Sequence, residues 1–258
     1  MKFGIEGKRA LVTAGGRGLG RAIAESLAAE GAQVAVVSRT AATVDSVIDA
    51  IGGAGRGHLG ITADLEADAA PSAVLALLER DFGSCDIVVH NLGGTLDFTD
   101  PFCGVAAWRR VWRVNLEVAV ELNLQLLPPM QKRGWGRIVL ISSISALENH
   151  GAVPYCSVKA ALTAYARSMG RFVAPQGVVI TAVLPGAVFT EGGYWETASR
   201  ERAEHVQTYL RDRMAIHRFG HPAEIADVVT FLCSEQASFC VGSIVPVDGG
   251  QGRSYFGE

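Results

Sequence analysis

Disulfide pairing cannot organise this chain. Its 258 residues include only five cysteines (Cys85, Cys103, Cys156, Cys233, Cys240), an odd number, and no two stand at C-x-x-C spacing. That excludes a cystine scaffold and a zinc ribbon as the basis of the fold and favours a reducing, cytoplasmic setting. An excess of charge of one sign is missing too. The 23 Lys and Arg against 26 Asp and Glu leave a net charge of −3, so no strongly basic face is expected and nucleic acid is not an expected partner. No apolar run approaches the ~18 residues that a membrane span requires. The stretch Met1–Gly7 carries Lys2 and Glu6 but no apolar h-region, so it does not read as a secretory signal. The six histidines are scattered, and no metal is expected. With 49% hydrophobic residues, a chain of this length buries roughly three-quarters of its unfolded surface and needs no staple.

What is present is a regular alternation. Ala10–Thr13, Gln33–Ser38, Ile87–His90, Arg137–Ser142, Val178–Leu184 and Ser243–Val247 are short, apolar and rich in β-branched residues, and His58–Thr62 is a fainter run of the same kind. Such runs read as strands buried on both faces. Between them lie longer amphipathic stretches: Leu19–Glu30, Thr43–Ile51, Ala69–Phe82, Ala106–Leu127, Pro154–Phe172 and Ala223–Cys233. Strand–helix alternation predicts an α/β fold, a single Rossmann-type doubly wound parallel sheet of about seven strands with helices on both faces. No linker or repeat divides the chain, so residues 1–258 read as one domain. The strandless interval 189–221 is far longer than an ordinary connection and reads as a segment covering a site.

The first strand runs into Thr13-Ala14-Gly15-Gly16-Arg17-Gly18-Leu19-Gly20 and then into an apolar-periodic helix. Glycines at such a junction let the backbone approach a pyrophosphate, which the helix N-terminus stabilises through its free N–H groups. An acid at the end of the second strand would select NAD by holding the ribose 2′-hydroxyl. Here the strand ends in Ser38-Arg39, and the nearest acid, Asp45, lies further into the helix. A 2′-phosphate meets no repulsion there and finds the guanidinium of Arg39, with Arg17 as a second. The expected cofactor is NADP(H).

Tyr155-Cys156-Ser157-Val158-Lys159 opens a helix and sets a phenol and an ammonium four residues apart, on one face. A phenol near pKa ~10 exchanges protons poorly at neutral pH unless a positive charge stabilises the phenolate, and Lys159 is placed to supply one. Upstream, Arg137–Ile141 leads into Ser142-Ser143, and Asn115 sits within the long helix before it.

At this point the chain resembles the short-chain dehydrogenase/reductase family, in its classical branch. The likeness runs through the glycine loop, Asp64, His90-Asn91-Leu92-Gly93, Asn115, Ser143, Tyr155, Lys159 and Pro185-Gly186-Ala187-Val188-Phe189-Thr190. It continues into Arg218-Phe219-Gly220-His221-Pro222-Ala223-Glu224 and Val247-Asp248-Gly249-Gly250. The resemblance implies hydride transfer between a nicotinamide and a carbonyl or secondary alcohol. It makes Tyr155 the general acid in reduction and the base in oxidation, and gives Lys159 the nicotinamide ribose and the lowering of the phenol pKa. Ser143 would hold the substrate oxygen, and Asn115 would support a water in the proton relay. It places Asp64 and Asn91 at the adenosine end and Thr190 at the nicotinamide amide, with Leu65 and Gly93 also in the cofactor site. The cofactor site it implies extends over Thr13, Gly15, Gly16, Gly18, Leu19 and Gly20 in the loop and over Pro185, Gly186, Val188 and Thr190 after the sixth strand. Ser142 stands thirteen residues before the tyrosine and Ser143 twelve; the S-S-x-x-G pattern of the family favours Ser143.

Departures from the family pattern are specific. Ala14 stands where the family has its first glycine, so the turn should keep φ negative there or pass the demand to Gly15. His90 and Leu92 replace an asparagine and an alanine, and should alter the packing beside the cofactor. Gly94, Thr95, Leu147, Glu148, Asn149, His150, Tyr194 and Trp195 are candidates to line a substrate pocket, with a solvent-facing loop the alternative place for His150. Cys156 reads as a small buried hydrophobe.

Within the family the likeness is greatest to 3-oxoacyl-carrier-protein reductases, including basic Lys132-Arg133. Gln176 stands where those enzymes have a second basic residue, which bears against a carrier-protein partner. The substrate is then a small carbonyl or alcohol, a thioester-linked one among the options, and a sugar, polyol or other secondary alcohol is the alternative. A non-catalytic NADP(H) sensor is a third reading, opposed by the joint presence of Asn115, Ser143, Tyr155 and Lys159. Relatives form homotetramers, and the stripe Ala160, Ala161, Ala164, Ser168 suits close helix packing in a tetramer or dimer, or within the chain.

Overall fold

A computed structural model describes residues 3–148 and 151–253. Among these, β1 (Arg9–Thr13), β2 (Gln33–Ser38), β3 (Leu59–Thr62), β4 (Ile87–His90), β5 (Gly136–Ile141), β6 (Val178–Pro185) and β7 (Ile244–Val247) form one sheet. Its order is β3-β2-β1-β4-β5-β6-β7, and every pairing is parallel. Every residue of β4, β5 and β6 is buried, which is why these segments read as unbroken apolar runs.

The helices are α1 (Gly18–Ala29), α2 (Ala41–Ala50), α3 (Ala70–Asp81), α4 (Val105–Trp112), α5 (Val118–Arg133), α6 (Val153–Val173), α7 (Tyr194–Glu201), α8 (Ala203–Arg213) and α9 (Pro222–Leu232). Strand residues alternate between two cores. Ala10, Val12, Val34 and Val36 meet Ile23 and Leu27 of α1, Val44 and Val47 of α2, and Ile225 and Val229 of α9. Leu11, Ala35 and Val37 turn the other way, into a core with Val74 and Leu78 of α3, Leu122 and Leu126 of α5, and Leu162 and Ala166 of α6. The doubly wound sheet is the one that the alternation predicts. Its order reverses between β1 and β4, which leaves a crevice at the carboxyl ends of those strands.

The long helix expected over Ala106–Leu127 is not continuous. Residues Arg113–Glu117 form a π turn between α4 and α5. Asn115 Nδ2 donates to the Val111 carbonyl at 2.8 Å, the acceptor that a regular helix assigns to the main-chain N–H of residue 115. A side chain competing for that carbonyl opens the ladder by one residue. Beyond it, α5 runs on through Pro128 and Pro129 and stops at Gly134, in the left-handed region at φ 69°. The carbonyls those prolines leave without a donor belong to Leu124 and Gln125, both exposed, so water can take them.

The interval after β6 carries α7 and α8, which the apolar pattern does not announce. Each buries one residue, Ala198 and Val206, too few to set a periodicity. On α6, Ala160, Ala164 and Ser168 of the small-residue stripe are exposed and Ala161 is half-buried.

Candidate active site

A cleft of about 450 Å³ opens at the carboxyl ends of the central strands. Arg17, Gly18, Leu19, Ser38, Arg39, Asp64, Leu65, Asn91, Gly93, Ser143, Tyr155, Lys159, Pro185, Gly186, Val188 and Thr190 all line it. Residues from the segments that follow β1, β2, β3, β4, β5 and β6 meet there because each strand delivers the chain after it to the same edge of the sheet.

Thr13, Gly15, Gly16, Gly20 and Asn115 stand behind the wall. The Thr13 hydroxyl accepts from the main-chain N–H groups of Asn91 (3.0 Å) and Leu92 (3.1 Å), tying the loop after β4 to the end of β1. A Cβ on Gly20 would sit 2.4 Å from the Ala14 carbonyl oxygen, so no side chain fits where α1 crosses the turn. The turn itself departs from expectation. Ala14 takes φ 50°, and Gly15 is not among the glycines at positive φ. Two hydrogen bonds hold it so: Gly15 N–H donates to the Val37 carbonyl (3.1 Å), and the Ala14 carbonyl accepts from Asn91 Nδ2 (3.1 Å). A left-handed alanine costs about 1–2 kcal/mol, which this turn carries.

The two arginines separate. Arg39 is exposed at the end of β2, lines the cleft, and is near enough to Glu66 to help hold that carboxyl below its usual range, after the larger effect of the Arg110 hydrogen bond. Arg17 is engaged: its Nη1 donates to the Gly192 carbonyl at 3.0 Å, in the loop ahead of α7. The second guanidinium anticipated for a 2′-phosphate therefore ties the covering segment to the glycine loop. The sequence offers no sign of this, because the two residues are 175 positions apart.

At the other end of the cleft, α6 carries Tyr155 and Lys159 past the end of β5. The Ser143 hydroxyl hydrogen-bonds the phenol of Tyr155 and accepts from the Ser145 N–H at 3.1 Å. The Ser142 hydroxyl is turned away, donating to the Lys159 carbonyl at 3.1 Å, so geometry separates the two serines. Lys159 is buried, donates from Nζ to the Ile141 carbonyl at 2.8 Å, and lies 5.5 Å from the Tyr155 ring centroid.

Burial pushes the phenol up to about 12, with the Ser143 bond working against it, and pushes the Lys159 amine down to about 7. Asn115 is locked by a reciprocal pair with Gly94, accepting from its N–H (3.0 Å) and donating to its carbonyl (2.8 Å). A Cβ on Gly93 would come within 2.5 Å of Asn115 Oδ1 and 2.9 Å of Lys159 Nζ, so a side chain there would displace the Asn115 amide and the Lys159 ammonium.

Of the described substrate-pocket candidates only Trp195 lines the cleft. Glu148 pairs with Arg213 of α8 at 3.1 Å and accepts from the Arg253 N–H at 2.5 Å, so it anchors the covering segment. Tyr194 is 57% exposed, Gly94 is held by Asn115, and Asn149 and His150 lie outside the described residues. Thr95 and Leu147 are absent from the wall, whereas Leu92 and Leu96 belong to it. His90 points into the helix layer, where its Nε2 meets Asn123 Oδ1 at 2.9 Å while Asn123 Nδ2 donates to Tyr165. Burial lowers that imidazole to about 4, and its packing does not reach the cofactor side. Cys156 is half-buried, with its thiol pushed up by burial.

The cleft fits an extended dinucleotide. Ser38, Arg39 and Asp64 bound one end, the N-terminus of α1 opens on the middle with Gly18 at φ 55°, and Tyr155 and Lys159 close the other. Among the described residues no group of three or more His, Cys, Asp or Glu side chains could hold a metal ion.

Comparison with known proteins agrees with this geometry. A family profile described as Enoyl-(Acyl carrier protein) reductase matches residues 13–251. The 3-oxoacyl-[acyl-carrier-protein] reductase FabG of Aquifex aeolicus is 32% identical over 252 residues, 97% of this chain and 99% of that protein. L-Sorbose reductase from Gluconobacter frateurii, solved with NADPH and L-sorbose, superposes with a TM-score of 0.91 at 30% identity, covering 98% of this chain and all of that one. A 3-oxoacyl (acyl-carrier-protein) reductase from Agrobacterium tumefaciens with NADP bound gives 0.88 at 30% identity over 96% of both chains. Matched from the glycine loop to the last strand, this chain belongs to the short-chain dehydrogenase/reductase family of oxidoreductases.

Proposed function

We propose that this chain is an NADP(H)-dependent carbonyl reductase whose substrate is a 3-oxoacyl thioester, with Asn115, Ser143, Tyr155 and Lys159 as its catalytic group. The observation that carries the reading is the convergence of Ser143, Tyr155 and Lys159 at one end of a cleft shaped for a dinucleotide. A bound nicotinamide supplies the hydride to the carbonyl carbon in reduction and accepts it in oxidation. Tyr155 passes its phenolic proton to the carbonyl oxygen, and Ser143 donates a hydrogen bond to the same oxygen as its negative charge grows. A phenol held at about 12 stays protonated at neutral pH, the form a proton donor needs. Lys159, lowered to about 7, is partly ionised there; its ammonium form stabilises the phenolate left after transfer and holds the nicotinamide ribose. Asn115 positions the loop at Gly93 and Gly94 beside that lysine.

Ser38 and Arg39 are the residues for a 2′-phosphate, and the NADPH and NADP complexes of two relatives support the same cofactor. Segment 189–221 covers the substrate. Five free thiols suit a cytoplasmic setting. The exposed α6 stripe, with Leu124 at 63% and Phe172 at 74% exposure, supports a homotetramer or dimer, which light scattering after gel filtration would measure.

A sugar or polyol reductase is the second reading, favoured by the fit to L-sorbose reductase. NADPH oxidation with acetoacetyl thioester and with L-sorbose, run beside NADH, separates the two. Faster turnover of the thioester with NADPH is expected. Loss of the reaction in Tyr155→Phe ties it to the site; preference for L-sorbose overturns the thioester assignment.

A further inference from the structure

Two large apolar side chains on the cleft wall, Leu96 in the loop after β4 and Trp195 in the first turn of α7, bracket the Ser143–Tyr155 centre. Leu96 follows β4, Trp195 follows β6, and β5, which leads to Ser143, lies between them in the sheet. Each is held at a cost or by a dedicated brace.

Leu96 and Asp97 take φ 52° and 60°, with the Phe98 N–H donating to the Thr95 carbonyl at 3.1 Å. A turn with both central residues at positive φ ordinarily uses asparagine, aspartate or glycine. Leucine there is strained, and such strain persists where the surrounding structure over-determines it, as at ligand clamps. The Phe98 ring lies 5.7 Å from the Arg110 guanidinium, which is itself bound by Glu66.

Trp195 is wedged among rings, with centroids 4.9 Å from Tyr194, 4.4 Å from Tyr209 and 4.8 Å from Phe219. The Tyr209 hydroxyl accepts from Gln251 Nε2 at 2.5 Å, and Gln251 Oε1 accepts from the Ala187 N–H at 2.8 Å. Gln251 is 5% exposed. This buried amide thus links the aromatic wall to the strand-end loop that leads to Thr190. Glu148 is turned into the Arg213 and Arg253 contacts, and Glu191 is the carboxylate that lines the cleft beside Thr190.

We propose that Leu96 and Trp195 are the specificity-determining residues of this enzyme. They form a pincer for an apolar substituent on the substrate carbonyl, an alkyl chain of several carbons, and Gln251 is the positioning residue that keeps Trp195 in place. The proposal rests on the reductase reading above and names the substrate that its site takes: a carbonyl with a hydrophobic tail in preference to a polyhydroxylated ketose.

The test compares NADPH-dependent kcat/KM for 3-oxooctanoyl and acetoacetyl thioesters of N-acetylcysteamine and for L-sorbose. The wild type should favour the eight-carbon substrate. Trp195→Ala should lower the eight-to-four-carbon ratio of kcat/KM about tenfold, chiefly by raising KM for the eight-carbon substrate. Leu96→Asn should lower the ratio while raising the melting temperature, since asparagine accepts the turn; a purely structural leucine would not separate the two. Gln251→Leu should lower the same ratio with kcat for the short substrate retained. Equal losses for both thioesters, or a wild type preferring L-sorbose, overturn the proposal.

Saturable quenching of intrinsic fluorescence by the eight-carbon thioester, compared between wild type and Trp195→Phe, reads the pincer without turnover. Quenching that disappears in Trp195→Phe supports it even if no carbonyl is reduced and the reductase reading falls. Identical quenching in the two proteins overturns it.

Discussion

The two ends of the cleft are built by different means. At the end bounded by β1, β2 and β3, side chains and glycines sit on a strand terminus, a turn or the first residues of a helix, with Asn91 the one distant side chain bracing the turn. At the end bounded by β5, α6 and the covering segment, placement depends on side chains from distant parts of the chain, such as Arg17 on Gly192, Arg213 on Glu148 and Gln251 on Tyr209. The first construction tolerates side-chain change as long as the turn survives. The second transmits any loss of a contact to the groups that meet substrate.

The largest effect expected is at the substrate end. Tyr155→Phe should reduce NADPH-dependent turnover about a thousandfold with the circular dichroism spectrum unchanged, because the proton donor goes while the ring stays. Turnover within tenfold of wild type would remove the chemistry from this end of the cleft.

Lys159→Met should abolish activity and stabilise the fold. The folded-state amine is lowered to about 7 against ~10.4 unfolded, so below pH 7 both states carry the charge and the folded one bears its burial. Between the two values only the unfolded state binds the proton, and stability of the wild type rises with pH. Denaturation with urea at pH 6 should show the variant ahead by on the order of 3 kcal/mol, with the gap closing towards pH 10. A gap independent of pH would mean that the lysine is not desolvated as its surroundings dictate.

At the cofactor end, Arg39→Asp should shift the NADPH-to-NADH ratio of kcat/KM by about a hundredfold towards NADH, whereas Arg17→Ala should weaken both cofactors alike. An equal shift from the two variants would show that Arg17 leaves Gly192 to meet the 2′-phosphate. The smallest effect is Ala14→Gly, expected to gain about 1 kcal/mol in thermal or urea unfolding with cofactor affinity kept, by relieving the left-handed alanine.

The fold was legible because each element of the doubly wound sheet carries its own signal: β-branched runs where strands are buried on both faces, apolar periodicity in α1, α2, α3, α6 and α9. The break at Asn115 was not, since the competing acceptor is a tertiary arrangement of the side chain with Gly94 and Val111. Nor were α7 and α8, whose single buried residues leave no period. At the site, Tyr155, Lys159 and the glycine loop are local spacings and could be named in advance. Leu96 was hidden because nothing marks a leucine for positive φ, and Gln251 because its partners, Ala187 and Tyr209, lie 64 and 42 residues away.

Composition, periodicity and motif spacing were enough to set the class of fold and to single out the glycine loop and the Tyr155–Lys159 pair as candidates, because these follow from interactions within a few residues along the chain. Which serine faces Tyr155, which arginine stays free, where Glu148 turns and how high burial drives the phenol are decisions of packing. They depend on which distant groups arrive at the same place and on how much water they displace, and only the folded chain brings those together.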